Sequence, residues 1–495
     1  MKGDFTRNTF EATRHFSRVL QQQGRVSLDA DANEQAAILL HYCRTLAADL
    51  IGQAGGPKDA LGFLTGYDPT KLSAADGAQL TAQKWLPLQT GDFYIGSGRY
   101  YVDGLLCEVE QACTYLHQPD FPAGDADKPG NGLWIVYLDV WERHLSWVED
   151  GRIREVALGG PDTASRAKVV WQVKVLPYPL KAATGKNAKG VAVPAAADLQ
   201  ALLQEPAKAA FKAAGANGSP FLQLLPSTVQ LRVRTQKEPQ DMDPCSVPPQ
   251  NRYRGPENQL YRVELHRGLL IADKPTFKWS RENGSVIFPV LQVDADATST
   301  TVRVATLGRD PKLGLAVGDW VELVDDAITL RAEIHPLLQV TGLDDQAMTV
   351  TLAGTRDPID PDAAAAGHTF LRRWDQRDTA NQPLDDGAVP VLEGSGEGDS
   401  QWIPLEDGIE VQFVAPPAGG LPGIYRPGDY WLIPARVATG DVEWPLAADG
   451  TASVKAADGV HHHYAALALL NVTSTSGPAT VLDGRQPFPH LITLP

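Results

Sequence analysis

Thr276-Phe-Lys-Trp-Ser-Arg-Glu-Asn-Gly-Ser-Val-Ile-Phe-Pro-Val-Leu-Gln-Val293 sets Asn283-Gly284 between two arms rich in β-branched and aromatic residues. A type I′ turn needs positive φ at both central residues, and Asn-Gly adopts it at the least steric cost. The stretch therefore predicts the strongest β-hairpin in the chain. Outward from it, strands are expected at 227–235, 258–266, 298–305, 315–324, 332–341 and 347–352, then at 409–414, 430–435 and 464–472. Turn signals every eight to twelve residues indicate sandwiches or barrels.

Nearer the start, residues 84–117 alternate and carry glycine, with Asp103-Gly104 a second hairpin signal. Residues 133–149, LWIVYLDVWERHLSWVE, are apolar on both alternating faces, which suits a central strand, and 167–176 forms another. Val317-Gly-Asp-Trp and Pro427-Gly-Asp-Tyr resemble one another, as two copies of one β-unit or as one turn type used twice.

The first 56 residues differ. Ala36, Leu39, Leu40, Cys43, Leu46, Ala47, Leu50 and Ile51 recur at three- and four-residue steps, one face of a helix over 31–51. Asp31 with Glu34 marks its start, and Gly52 with Gly55, Gly56 and Pro57 its stop. An extended arm precedes it, with a turn at Gly24. One helix cannot bury one apolar face alone. That face must dock on the chain's own β-domains or on another chain; the extended arm favours another chain, and the assembly interface is then Phe5, Phe16, Val19, Leu20 and Leu28 of the arm with Leu39, Leu40, Leu46 and Leu50 of the helix.

The fold class is mainly β: an N-terminal arm and amphipathic helix, then two or three sandwich- or barrel-like domains with a short helical insertion. The expected divisions are 1–56 (arm and helix), 57–180 (β), 181–226 (an Ala/Lys-rich insertion with helices at 198–204 and 206–214), 227–355 (β), 356–401 (loop-rich connection) and 402–495 (C-terminal β region).

Length supports several domains at 495 residues, and a formal charge of −16 repels phosphates, so neither nucleic acid nor anionic lipid is an expected partner. Cys43, Cys107, Cys113 and Cys245 show no zinc or disulfide spacing. The start, MKGDFTRNTFEATRHF, has no apolar h-region, and no run of 18 apolar residues exists. Synthesis in a cytoplasm without a signal peptide is expected, with no membrane insertion.

The chemistry searched for is sparse. In His461-His462-His463 neighbours point to opposite faces, so only His461 and His463 can share a metal. Acidic turns at Asp325-Asp326, Asp344-Asp345 and Asp385-Asp386 fit calcium or ordinary turn hydrogen bonding. Glu393, Glu397, Asp399, Glu406 and Asp407 are the carboxylates a glycosidase would draw on. Eleven tryptophans serve a β-core or, where exposed, sugar stacking. No nucleotide or nucleophile-elbow motif is present. No cofactor, no bound metal and no enzymatic activity are expected.

The stretches Lys2-Gly-Asp-Phe-Thr, His15-Phe-Ser-Arg-Val-Leu-Gln-Gln-Gln-Gly-Arg-Val and Leu28-Asp-Ala-Asp-Ala-Asn-Glu-Gln carry a resemblance. So do Trp141-Glu-Arg-His, Glu155-Val-Ala-Leu-Gly-Gly-Pro-Asp-Thr, Thr276-Phe-Lys-Trp-Ser-Arg-Glu-Asn-Gly-Ser and Gly428-Asp-Tyr-Trp-Leu-Ile-Pro-Ala-Arg. The chain resembles the DUF6519 family, encoded beside phage-tail-like contractile injection systems. The arm and helix, with Leu28, Asn33 and Glu34, are also similar, more loosely, to N-terminal segments of phage tail fibre and baseplate proteins. The resemblance implies a structural component of such a particle, baseplate- or fibre-associated, intracellular or released by lysis. It implies other particle subunits as partners and a homo-oligomer, a trimer by preference. A glycan-binding or glycan-cleaving module carried on the particle is the alternative.

Overall fold

The computed structural model describes residues 1–178, 185–186, 192–193, 195–204, 221–236, 253–308, 310, 312–396, 398, 401–416, 423–472 and 479–489. The architecture is mainly β, with one long helix, Asp29–Ile51, at the start.

The opening hairpin prediction is half right. Asn283 (φ 50) and Gly284 (φ 65) form the turn, closed by the Ser285 N–H donating to the Glu282 carbonyl at 3.0 Å. Its arms do not pair. Thr276–Ser280 joins a five-stranded sheet beside Gln259–Arg267, whereas Ile287–Ala295 enters a six-stranded closed barrel. The barrel's last strand, Phe370–Trp374, returns between the two arms. Asp375 N–H donates to the Trp279 carbonyl at 2.9 Å and Arg373 N–H to the Val286 carbonyl at 3.1 Å, taking the bonds that a hairpin would use.

The barrel runs Ile287–Ala295, Ser299–Val304, Thr349–Ala353, Leu338–Asp344, Trp320–Val324, Phe370–Trp374 and closes on its first strand. Val290, Val302, Val321, Val340, Val350 and Leu371 fill it. Each fully buried Val or Leu stabilises by about 1.5–3 kcal/mol before entropy is counted. Beside the barrel lies a sandwich: the five-stranded sheet against the strands Gln230–Thr235, Ile409–Val414 and Ile403–Pro404, over Tyr261, Phe277, Trp279, Phe413 and Trp431.

The first body contains Gly132–Leu145, flanked on both sides by Arg166–Pro177 and His463–Val472. One face of that sheet packs Val136, Leu138 and Val140 on Tyr100, Val102 and Trp171. The other packs Ile135, Tyr137 and Leu469 against Leu199, Leu203 and Phe221. Both faces are buried, as the continuous apolar pattern requires.

The linear division into domains does not survive. Residues 409–414 and 430–436 complete the sandwich, but 463–472 belongs to the first body. Residues 227–355 straddle sandwich and barrel, and 356–401 supplies the barrel's sixth strand. The barrel is thus inserted into the sandwich, and the sandwich into the first body. Alternation shows which face of a strand is buried, but not which strand lies beside it. The 181–226 insertion is also more than a linker. Ala196–Gln204 caps the first sheet, and Gln200 bonds Ala466 N–H at 2.7 Å and the Tyr464 carbonyl at 3.1 Å. The helix expected at 206–214 lies outside the described residues.

The two Gly-Asp-aromatic segments share a turn, not a unit. Asp319 N–H bonds the Ala316 carbonyl and Asp429 N–H the Arg426 carbonyl, with Gly318 (φ 94) and Gly428 (φ 89) in the third position. That is the type II signature, and the following strands lie in barrel and sandwich respectively.

Candidate functional site

The first ten residues form a strap across the molecule. Its anchor is the Asn283-Gly284 turn, where the chain passes from sandwich to barrel. The Asn283 side-chain amide donates to the Gly3 carbonyl at 2.9 Å and the Met1 carbonyl at 3.3 Å. The Gly3 N–H donates to the Asn283 carbonyl at 3.3 Å. A Cβ at Gly3 would approach the Phe5 ring to 2.8 Å, so any side chain there displaces that ring.

Beneath the strap lies a buried charge network. Arg262 Nε donates to Glu264 at 2.6 Å, Lys278 Nζ pairs with Glu322 at 2.7 Å, and Lys2 Nζ reaches Glu264 at 3.0 Å. Lys278 also stands 4.5 Å from the Trp374 ring centroid. The Arg372 guanidinium donates to the Gly284 carbonyl. Burial opposes ionisation of Glu264, but Lys2, Arg262 and Lys278 overcome it and hold the carboxyl well below its ordinary range. Glu322 is likewise held down to about 2, against burial, chiefly by Lys278. The network joins sandwich, barrel and strap.

From this anchor the strap crosses the sandwich edge, with Arg7 on Glu443 at 2.7 Å, and climbs the helix. Thr6 N–H donates to Asp29 at 2.9 Å, Thr9 Oγ1 to Glu34 at 2.7 Å, and Phe10 meets His41 at 5.6 Å between centroids. The helix consequently begins at Asp29, two residues before the predicted start, with no side-chain cap of its own. Glu34 serves the strap rather than a capping box.

The helix has two different faces. Ala30 and Ile38 are buried, and Ala37, Arg44, Ala48 and Ile51 are half-buried against the first body. Arg44 pairs with Glu142 at 2.8 Å. The helix backbone approaches the Asp103-Gly104 turn so closely that a Cβ at Gly104 (φ 79) would collide with the Arg44 carbonyl. The opposite face is open: Leu39 is 54% exposed, Tyr42 66% and Leu50 59%, and Leu40, Cys43 and Leu46 are exposed with them. Residues 16–28 run back beside this face, tied by Val19 N–H to the Gln35 side chain at 2.8 Å. Phe16, Leu20, Val26 and Leu28 are exposed there.

Of the predicted interface, Phe16, Leu20, Leu28, Leu39, Leu40, Leu46 and Leu50 are exposed. Phe5 is the exception. It is half-buried and edge-on to His144 at 6.1 Å, so the arm up to residue 10 is committed to its own chain. Val19 is half-covered by its contact with the helix.

A family model described as "Family of unknown function (DUF6519)" matches residues 1–217 and 222–477. The chain belongs to the DUF6519 family. No curated protein matches it. Among solved structures, a "Crystal structure of TssK" aligns with 80% of this chain and 99% of that chain, at 10% identity and a TM-score of 0.16, below the level of a shared fold.

Other residues of this DUF6519 chain fall in structural settings. His463 Nδ1 bonds Asp103 at 2.8 Å and His462 Nδ1 bonds Asp139 at 2.6 Å, while His461 is exposed. Among the described residues no group of three His, Cys, Asp or Glu converges. Glu406 accepts from Tyr261 at 3.0 Å and Arg281 at 2.7 Å; burial, aided by Asp375, pushes it up to about 7 despite Arg281. Glu393 bonds the Tyr425 hydroxyl. Glu397 and Asp399 lie outside the described residues. Of the eleven tryptophans, Trp85, Trp134, Trp147 and Trp320 are half-buried and the other seven are buried. Among the described residues, no helix is long and apolar enough to cross a membrane. The strap, the residue Asn283 that holds it and the Glu264 network are what sequence reasoning missed. The only signal was the motif-like Lys2-Gly-Asp-Phe-Thr, which carries no mark of its partner.

Proposed function

We propose that this DUF6519 protein is a non-enzymatic structural component of a phage-tail-like contractile injection particle, baseplate- or fibre-associated. It attaches through the open face of its N-terminal helix and the adjoining residues 16–28. The supporting observation is the contrast on one helix between a docked face and a contiguous exposed face of Leu39, Leu40, Leu46 and Leu50. Monomeric soluble proteins rarely leave such a patch without a partner. The strap adds a mechanical reason: a load on the helix passes through Thr6, Thr9 and Asn283 into sandwich and barrel, not through a free tail. The motifs resembling proteins encoded beside such particles give the reading its context.

The test uses particles sedimented from the bacterium that encodes the chain. The protein is expected to co-sediment with sheath and tube subunits at a fixed ratio, and a Leu39→Asp/Leu46→Asp variant to stay in the supernatant while remaining folded. Intact particles that never contain the protein sink the proposal.

A further inference from the structure

The open face repeats with a heptad period. Ala32, Ala36, Leu39, Cys43, Leu46 and Leu50 follow one another at steps of four and three, and all six are exposed. A 3.5-residue period keeps a seam in line only when helices wind about each other, whereas a face packed on a globular body drifts with 3.6. The flanking positions widen the seam without charging it: Leu40 and Ala47 on one side, Tyr42 on the other. Between Glu34 and Asp49 the open face carries no carboxylate. The whole chain carries −16, so two copies repel over most of their surfaces and meet without facing acids along this strip.

We propose that the strip binds the same strip of further copies of this chain, parallel and in register. This rests on the reading of that face as the attachment surface and names its partner. In register, Leu39, Cys43, Leu46 and Leu50 each meet their own counterparts about the symmetry axis. The helix is slim at its start, where Ala32 and Ala36 lie. There the exposed arm residues Phe16 and Leu20 fill the space, because Val19 is tied to Gln35 one turn away. Parallel pairing brings those arms together at one end. Cys43 stands mid-seam as a native reporter, while Cys107 and Cys113 are buried.

The experiment measures mass by light scattering after gel filtration of the full chain, at micromolar concentrations. It is paired with copper-catalysed oxidation read on a non-reducing gel. Expected results are a mass of two or three chains, a cross-linked dimer that Cys43→Ser abolishes, and return to one chain in Leu39→Asp/Leu46→Asp with unchanged tryptophan fluorescence. A single-chain mass throughout overturns the proposal, as does an oligomer indifferent to those substitutions or one that Cys43 fails to cross-link. Particle sedimentation separates this from the parent reading. A monomer that still sediments with particles through Leu39 and Leu46 sinks self-pairing alone. A Cys43-linked oligomer absent from particles upholds self-pairing and sinks the particle role.

Discussion

Residues 1–10 and 16–28 are neighbouring stretches of one arm, both lacking long regular elements, yet their fates are opposite. The first is held at Asn283, Glu264, Glu443, Asp29 and Glu34. The second is tied to the helix by the Val19–Gln35 bond and leaves Phe16, Leu20 and Val26 in solvent. Apolar content does not separate them, since the free stretch is the more hydrophobic. What separates them is backbone and charge complementarity. A strap wins order by meeting groups already fixed by the fold, whereas an apolar stretch beside a filled surface stays available.

Glu264→Ala should separate the two stretches most sharply. It leaves Arg262 and Lys2 without their carboxylate and Lys278 with Glu322 alone, which costs about 3–5 kcal/mol. The midpoint of urea unfolding should fall accordingly; an unchanged midpoint would mean the strap is not part of the folding unit. Asn283→Ala removes the strap's amide bonds and places alanine at φ 50, for an expected loss of about 2–3 kcal/mol by the same measurement.

Acid should act on the same anchor. Glu264 and Glu322 have depressed values in the fold, so their contribution is present above the unfolded value of about 4.3 and is lost as pH falls through the folded ones. Stability should decline from about pH 5 toward pH 2, and Glu322→Gln should show a shallower decline. On the other stretch, Val26→Ser should change stability by no more than about 0.5 kcal/mol, because the side chain is exposed. Trypsin should cut after Arg18 and Arg25, both exposed, before it cuts after Arg7, which is paired with Glu443. Earlier cleavage at Arg7 would erase the distinction.

Local patterns carried much of this fold. The strands at 409–414, 430–435 and 464–472 were legible because each alternates or runs apolar over its full length. The helix and its open leucines were legible through their spacing. The pairing was not. Asn283-Gly284 announces a turn, but nothing in its neighbourhood announces that Phe370–Trp374 will come back between the arms. The docked side of the helix was hidden for a related reason: Ala30, Ala37 and Ala48, buried or half-buried there, are small and look neutral in a hydrophobic pattern. The strap was hidden because polar residues such as Lys2, Thr6 and Thr9 mark no partner until the partner is placed.

The nesting of the three bodies has a consequence for the timing of synthesis. Asp139 and His462 are hydrogen-bonded neighbours 323 residues apart in sequence. At a ribosomal pace of about 5–20 residues per second, the strand Gly132–Leu145 waits roughly a quarter of a minute to a minute for its inner neighbour. The barrel, with all its strands between 287 and 374, can close first, then the sandwich, and the first body last. The helix emerges before any of them, yet its resting place on the Gly104 turn is completed only at the end.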